Sequence, residues 1–234
     1  MRLLDFLIAI GVILGGCATP PADPASAGDP YEATNRVIFD LNLKIDRVTL
    51  RPTAERYQNN VPEEVRDSLR NALDNLHAPV VFANDLLQGE SARAGTIMGR
   101  FLINSTLGLG GLFDVASRHD LPAHDEDFGQ TLAVWGAGEG PYLVRPFFGP
   151  SSPRDAAGKA VDVALDPTVY LKIKRHLLWE GTRQYLNFVD TRARSLETLD
   201  GIERDSLDFY ATVRSLYRQN RSYQIRNGTP SSEE

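Results

Sequence analysis

Residues 60–107 read NVPEEVRDSLRNALDNLHAPVVFANDLLQGESARAGTIMGRFLINSTL, and their periodicity decides the fold class. Asn60-Val61-Pro62-Glu63 is a helix start, after which Val65, Leu69, Ala72, Leu73 and Leu76 recur at helical spacing. His77-Ala78-Pro79 predicts an interruption, because an interior proline removes a backbone donor and clashes with the preceding turn. A short helix through Phe82 and Leu86 then stops at Gly89. Residues 91–107 place Ala94, Ile97, Met98, Phe101 and Leu102 on one face. Gly95 and Gly99, four apart, would let a second helix approach closely, and ordinary core packing accounts for them equally well. Two long helical patterns without strand alternation predict a mainly α protein.

The flanks agree. Asp29-Pro30-Tyr31-Glu32 predicts a helix with Asp29 as N-cap, Pro30 in the first position and Glu32 closing a capping box. That helix carries Val37, Leu41, Ile45 and Val48 on one stripe and is expected to end near Arg51-Pro52. Downstream, Ser152-Pro153-Arg154-Asp155 opens a helix that should close at Asp166-Pro167. Residues 182–226 are helical again, with Gly201 expected to divide them. Ten of the 19 glycines fall between positions 95 and 149, which predicts turns and loops joining short elements there. The best strand pattern is Tyr142 to Phe148.

The start of the chain is a targeting signal. Met1-Arg2, an apolar run from Phe6 to Leu14, and Gly15-Gly16 precede the sole cysteine, Cys17. The run is about half the ~20 residues that a spanning helix needs. Cleavage before Cys17 and acylation of it, with palmitate among the expected chains, would tether the protein to a bilayer. The alternative is an ordinary signal peptide with an incidental cysteine. Four segments follow: signal peptide 1–16, acylated cysteine and proline-rich tether 17–28, helical domain 29–228, and a polar, disordered tail 229–234.

The mature chain keeps the formal charge of -6, which argues against nucleic acid as a partner. The charge is uneven: residues 29–171 hold 13 Lys/Arg against 20 Asp/Glu, whereas residues 172–228 hold 11 against 7. The basic C-terminal portion would suit acidic partners or lipid phosphates, or be a solvated helix face.

No motif for covalent chemistry stands out. His119 and His124 lie among Asp120, Asp125, Glu126 and Asp127, but their spacing does not share a helix face, so no metal is expected. A Gly-x-Ser-x-Gly elbow is absent from the sequence. Gly136-Ala137-Gly138-Glu139-Gly140 lacks both the dinucleotide spacing and the Lys-Ser/Thr ending of a phosphate loop. No cofactor is expected, and an enzyme reading would fall back on Ser105 or Ser117 with His119.

Several phrases together resemble one family. They are Asp29-Pro30-Tyr31-Glu32 with Asn35-Arg36, Arg51-Pro52, Asn84 before Leu87-Gln88-Gly89, Arg100-Phe101 with Asn104, and Gly108 through Asp114. Phe128-Gly129-Gln130-Thr131-Leu132, Trp135-Gly136, Gly140-Pro141-Tyr142, Pro146, Gly149, Arg154-Asp155 and Gly158 continue the series. In order and spacing they resemble the MlaA/VacJ family of outer-membrane lipoproteins over roughly residues 29 to 170. The resemblance implies a ring-shaped assembly of amphipathic helices lying in the membrane interface, with a glycine-rich hairpin loop. It implies an outer-membrane lipoprotein of a Gram-negative bacterium, anchored at the periplasmic leaflet. Such a protein passes misplaced outer-leaflet phospholipid through an amphipathic channel to a periplasmic lipid carrier, beside a trimeric porin, and is not an enzyme. By the same resemblance, residues 136–149 are the hairpin beside the channel. Gly136, Gly138, Gly140 and Gly149 give it freedom; Tyr142, Leu143, Val144, Phe147 and Phe148 meet lipid tails, and Arg145 a head group. A buried structural loop is the competing reading of that segment. The competing functions are a structural porin-associated lipoprotein and a phospholipase.

Overall fold

The computed structural model describes residues 29–171 and 176–229. The signal segment 1–16, Cys17, the tether 18–28 and all of the tail but Thr229 lie outside the described residues. The first helix, α1, spans Glu32–Ile45. Asp29 does not cap it; the helix starts after Tyr31 with no side-chain cap. Asp29 is instead buried, accepting hydrogen bonds from Asn35 Nδ2 at 2.8 Å, Arg214 Nη1 at 3.0 Å and the Tyr210 hydroxyl. A carboxylate withdrawn from water needs such donors, and they fix its place more strongly than a surface cap would.

The chain does not stop at Arg51-Pro52 either. A π-helical turn, Asp46–Leu50, leads directly into α2, Arg51–Asn60, with Pro52 in its first turn. Pro52 has no amide hydrogen to donate back into that turn, so the change from π- to α-helical bonding falls where one bond is lost in any case.

Next, α3 runs unbroken from Glu63 to Gln88 with Pro79 inside it, so the expected interruption does not occur. Interior proline costs about 3 kcal/mol. Around it Ala78 and Val81 are buried with Ile97 of α4, Ser91–Thr106, while Phe82 and Phe101 pack alongside. Burying several such side chains, at roughly 1.5–3 kcal/mol each for the larger ones, offsets the proline. Gly89 ends α3 in the left-handed conformation, φ +82°, as a C-terminal glycine does.

The close glycine contact lies elsewhere than Gly95 and Gly99. A Cβ on Gly95 would meet nothing, and one on Gly99 only Leu121 Cδ1 at 3.4 Å. The tight crossing joins α5, Phe128–Val134, to α6, Pro153–Leu165. There a Cβ on Gly158 would overlap the backbone of Gly129. Between them β1, Leu143–Arg145, pairs antiparallel with β2, Gly149–Ser151, setting Arg145 opposite Gly149.

As expected, α6 starts after Ser152, whose Oγ accepts from Asp155 N at 3.1 Å, and ends before Asp166-Pro167. The C-terminal run is α7, His176–Arg194, α8, Leu196–Asp205, and α9, Phe209–Ile225. Gly201 lies within α8 and divides nothing. The breaks fall at Ser195 and at residues 206–208, where Asp208 caps α9 by accepting from Ala211 N at 3.2 Å.

Packing follows a closed circuit. The hairpin rests on α1 and α9, α9 on α5, α5 on α3, α3 on α7, and α7 on α2, which continues α1. Ion pairs close the seam between the first and last helices: Arg36–Asp208 at 2.6 Å, Arg192–Asp46 at 3.0 Å and Arg51–Asp200 at 2.7 Å. Like Arg192, the C-terminal Arg183, Arg194, Arg214 and Arg221 pair with Asp166, Asp67, Asp29 and Asp127, so much of the C-terminal basic excess is spent inside the chain.

Candidate functional site

The interior is polar to an unusual degree. Among the described residues, 17 buried polar or charged side chains stand against 14 buried hydrophobic ones, so specific hydrogen bonds decide its geometry as much as apolar packing does. The phrases that carry the family resemblance supply these groups. In the first lock Arg100 donates to Asp114 Oδ2 at 2.9 Å, to Ser117 Oγ at 2.9 Å and to Leu121 O at 2.6 Å, while Asn104 Nδ2 reaches Asp114 Oδ1 at 3.1 Å. Burial alone would raise the Asp114 pKa, but the bonds from Ser117, Arg100 and Asn104 outweigh it and hold it at about 2.

In the second lock Asn84 donates to Asp162 Oδ1 at 3.1 Å and accepts from Thr131 Oγ1 at 2.8 Å. Beside it Arg93 meets Glu126 at 2.7 Å, Gln88 donates to Glu126 at 2.9 Å, and His124 Nε2 lies 2.8 Å from Asp85. His124 thus serves this network, and no group of three His, Cys, Asp or Glu among the described residues can hold a metal. The third lock joins helix starts. Asp127 caps α5 by accepting from Gln130 N, and Asp155 sits in the first turn of α6. Arg221 of α9 bridges them, with bonds of 2.6 and 2.7 Å to Asp127 and 2.9 Å to Asp155.

The exterior inverts this pattern. Val37 is 69% exposed and Val48 77%, with Leu41 also outside, so most of the apolar stripe of α1 faces away from the protein while Asn35 and Phe39 face in. Leu102, Leu107, Leu109, Leu112, Phe113, Trp135, Leu177, Leu178 and Trp179 are exposed as well. Scattered exposed leucines are ordinary, but an apolar set this numerous over a polar interior is not.

The hairpin joins the two regions. Tyr142 is fully buried and Val144 nearly so, packed with Phe39 and Tyr210. These two anchor the hairpin from within and are not free to meet lipid. Leu143 is half-buried. At the tip Phe147 and Phe148 are exposed, Phe148 tilting against Phe188 with centroids 5.8 Å apart. Asn42 of α1 holds the tip: its Oδ1 accepts from Phe147 N at 2.8 Å and its Nδ2 donates to Arg145 O at 3.0 Å. That clamp sustains a left-handed φ of +66° at Phe147, which a non-glycine residue rarely adopts. Gly136, Gly140 and Gly149 also take positive φ, whereas Gly138 does not. Gly136 and Gly138 are exposed in the approach to the hairpin, and a Cβ on Gly140 would crowd Pro153 at 3.2 Å.

Arg145 has no ion-pair partner among the described residues; its guanidinium lies 5.3 Å from the Phe148 ring centroid. Burial lowers its pKa, with weak opposition from Tyr217 and Asp155. A half-buried cation beside an aromatic ring, without a described counter-ion, is suited to an anion presented at an apolar surface.

Two adjoining clefts flank α3. One, of about 250 Å³, has an apolar wall of Ala78, Val81, Ile97 and Phe101. The other, of about 280 Å³, lies between α3, α6 and α7 and is rich in charge. Both are bordered by Asp74, His77 and Asp125. Sequence reasoning met His77 only at an expected helix break and Asp125 only as a rejected metal ligand, and did not single out Asp74, because their elements meet only in three dimensions. The phospholipase candidates are not assembled: the described hydrogen bonds of Ser105 go to Asn75, and those of Ser117 to Asp114 and Arg100.

No described helix is long and apolar enough to cross a membrane. A helical chain whose interior is held by polar locks and whose surface carries many large apolar side chains has the side-chain pattern of amphipathic, interface-type helices. The chain belongs to the MlaA lipoprotein family, whose profile matches residues 27–224. It is 34% identical to the intermembrane phospholipid transport system lipoprotein MlaA of Shigella flexneri, covering 97% of this chain and 90% of that protein. The namesake protein of Escherichia coli K12 is 33% identical over the same shares. A solved structure described as the structural basis for maintenance of bacterial outer membrane lipid asymmetry is 33% identical, with a TM-score of 0.76, and covers 84% of this chain and 98% of that one.

Proposed function

We propose that this chain moves phospholipid out of the outer leaflet of a Gram-negative outer membrane and hands it toward the periplasm, maintaining lipid asymmetry. The observation that carries the reading is the large set of apolar side chains left exposed over an interior held by polar locks. Water would penalise such a surface, at about 25 cal/mol for each Å² of apolar area left wet, whereas acyl chains solvate it. Relatives over 30% identical are named as lipoproteins of intermembrane phospholipid transport. The circuit of helix contacts supports a ring whose interior is the conduit. The hairpin is its flexible margin, with Phe147 and Phe148 against tails and Arg145 against a head-group phosphate.

In this reading the signal segment 1–16 is cleaved, Cys17 is acylated, and residues 17–28 tether the domain at the periplasmic leaflet. The partners are a trimeric porin and a periplasmic lipid carrier, and no bond of the lipid is broken. The test is a strain lacking the gene, complemented with this chain or with a variant carrying a disulfide between positions 42 and 147. Surface phospholipid should accumulate without the gene, clear with the unsubstituted chain, and stay high with the stapled hairpin until reductant is added. Release of free fatty acid by the purified chain would overturn the reading in favour of a phospholipase.

A further inference from the structure

The charged cleft between α3, α6 and α7 carries acids and bases in an arrangement that the packing of the helices does not use up. Asp162, 3% exposed, lines it. Its Oδ1 accepts from Phe128 N at 2.9 Å and from Asn84 at 3.1 Å, but its Oδ2 accepts from no described group. Asp74 of α3 and Asp125 line the same cleft and are mostly exposed; Arg70 approaches Asp74 at 3.4 Å and His77 approaches Asp125 at 3.5 Å. Lys159, one turn before Asp162 on α6, has no ion-pair partner among the described residues. The apolar-walled cleft adjoins at Asp74, His77 and Asp125. A charged recess opening beside an apolar one is the shape of a site for an amphiphile with a zwitterionic head.

We propose that this cleft reads the head group of the transported lipid and favours a primary ammonium, as in an ethanolamine head, over a quaternary one. Asp74, Asp125 and Asp162 take the ammonium, and Lys159 takes the phosphate. The proposal rests on the transport reading above. An ammonium offers three N–H donors to the three carboxylates, whereas a trimethylammonium offers none and leaves the Asp162 oxygen unpaired. Water competes for the exposed Asp74 and Asp125, so the bond to the buried Asp162 carries the discrimination, which for one charge-assisted hydrogen bond is about tenfold.

The test titrates the purified full chain in detergent with three short-chain phospholipids of identical tails and ethanolamine, choline or glycerol heads, following heat of binding. The ethanolamine lipid should bind about tenfold more tightly than the choline lipid. Asp162→Asn should bring the ratio of ethanolamine-lipid to choline-lipid affinity close to one, whatever it does to either affinity alone. Asp74→Asn, at the cleft mouth and outside the buried network, should reduce it in a chain whose fold is undisturbed. Lys159→Gln should weaken all three lipids alike. Equal affinity for ethanolamine and choline lipids, or a full preference retained in both aspartate variants, overturns the selection while leaving the conduit intact. Absence of binding by any of the three lipids would count against the conduit itself.

Discussion

The seam where α5, α6 and α9 meet and the tip of the hairpin that lies between α5 and α6 obey opposite rules. At the seam there is no spare room: Gly129 and Gly158 touch backbone to backbone, and Arg221 is paired with both Asp127 and Asp155. At the tip there is no cover: Phe147 and Phe148 are exposed, and Arg145 has no described counter-ion. The contrast teaches which face this protein offers to which solvent. Charge is hidden where it can be paired within the chain, and apolar surface is left uncovered where, under the proposed function, acyl chains would meet it.

The comparison can be broken most severely at the seam. Arg221→Ala strands two carboxylates at adjoining helix starts, and should cost about 3–5 kcal/mol in denaturant unfolding of the detergent-solubilised chain. A loss under 1 kcal/mol would mean that the pairing is incidental. Gly158→Ala forces a Cβ into the backbone of Gly129 and should cost about 1–3 kcal/mol, as overpacking does.

Acid probes the seam without substitution. Burial pushes the pKa of Asp127 and of Asp155 up, but the hydrogen bonds from Arg221, and from Tyr217 to Asp155, outweigh it, so both fall below the ordinary carboxylate value. A carboxylate whose folded pKa is depressed stabilises the fold above its unfolded pKa and loses that contribution as pH falls through the folded value. Stability should therefore hold down to about pH 4 and decline below it. Asp155→Asn should start lower and show a shallower decline, read by melting temperature against pH.

The tip should respond the other way. Phe147→Ser should change unfolding free energy by no more than about 0.5 kcal/mol, since the ring touches little within the chain. Association with phospholipid vesicles, measured by flotation, should nevertheless weaken severalfold. Equal flotation of the two chains would remove the tip from the lipid surface. Smallest in its effect on the fold is Cys17→Ala, which should lower the share of the chain recovered in the outer-membrane fraction while leaving its melting temperature unchanged.

Part of this was legible in the linear chain. The helical pattern around Val65 to Leu76, the Gly89 stop and the Ser152 start were readable because each depends on neighbours within about one turn. The apolar stripe Val37–Leu41–Val48 was legible too, but as a stripe only. Hydrophobic periodicity reports that a face avoids water, and acyl chains satisfy it as well as a core does. Pro79 and Gly201 misled for the complementary reason: local propensity is worth at most a few kcal/mol, and packing across the fold outweighs it.

By itself, then, the sequence determined the helical class and the family to which its spaced polar phrases point. Only the tertiary structure decided what those phrases do. Asp29, Asn84, Arg100 and Arg221 find donors and acceptors that lie 14 to 185 positions away. It alone turned Tyr142 and Val144 inward and left Phe147 and Phe148 outside. The reason is physical: hydrogen-bond partners and solvent are chosen by position in space, and spacing along a chain fixes only the face on which a residue stands.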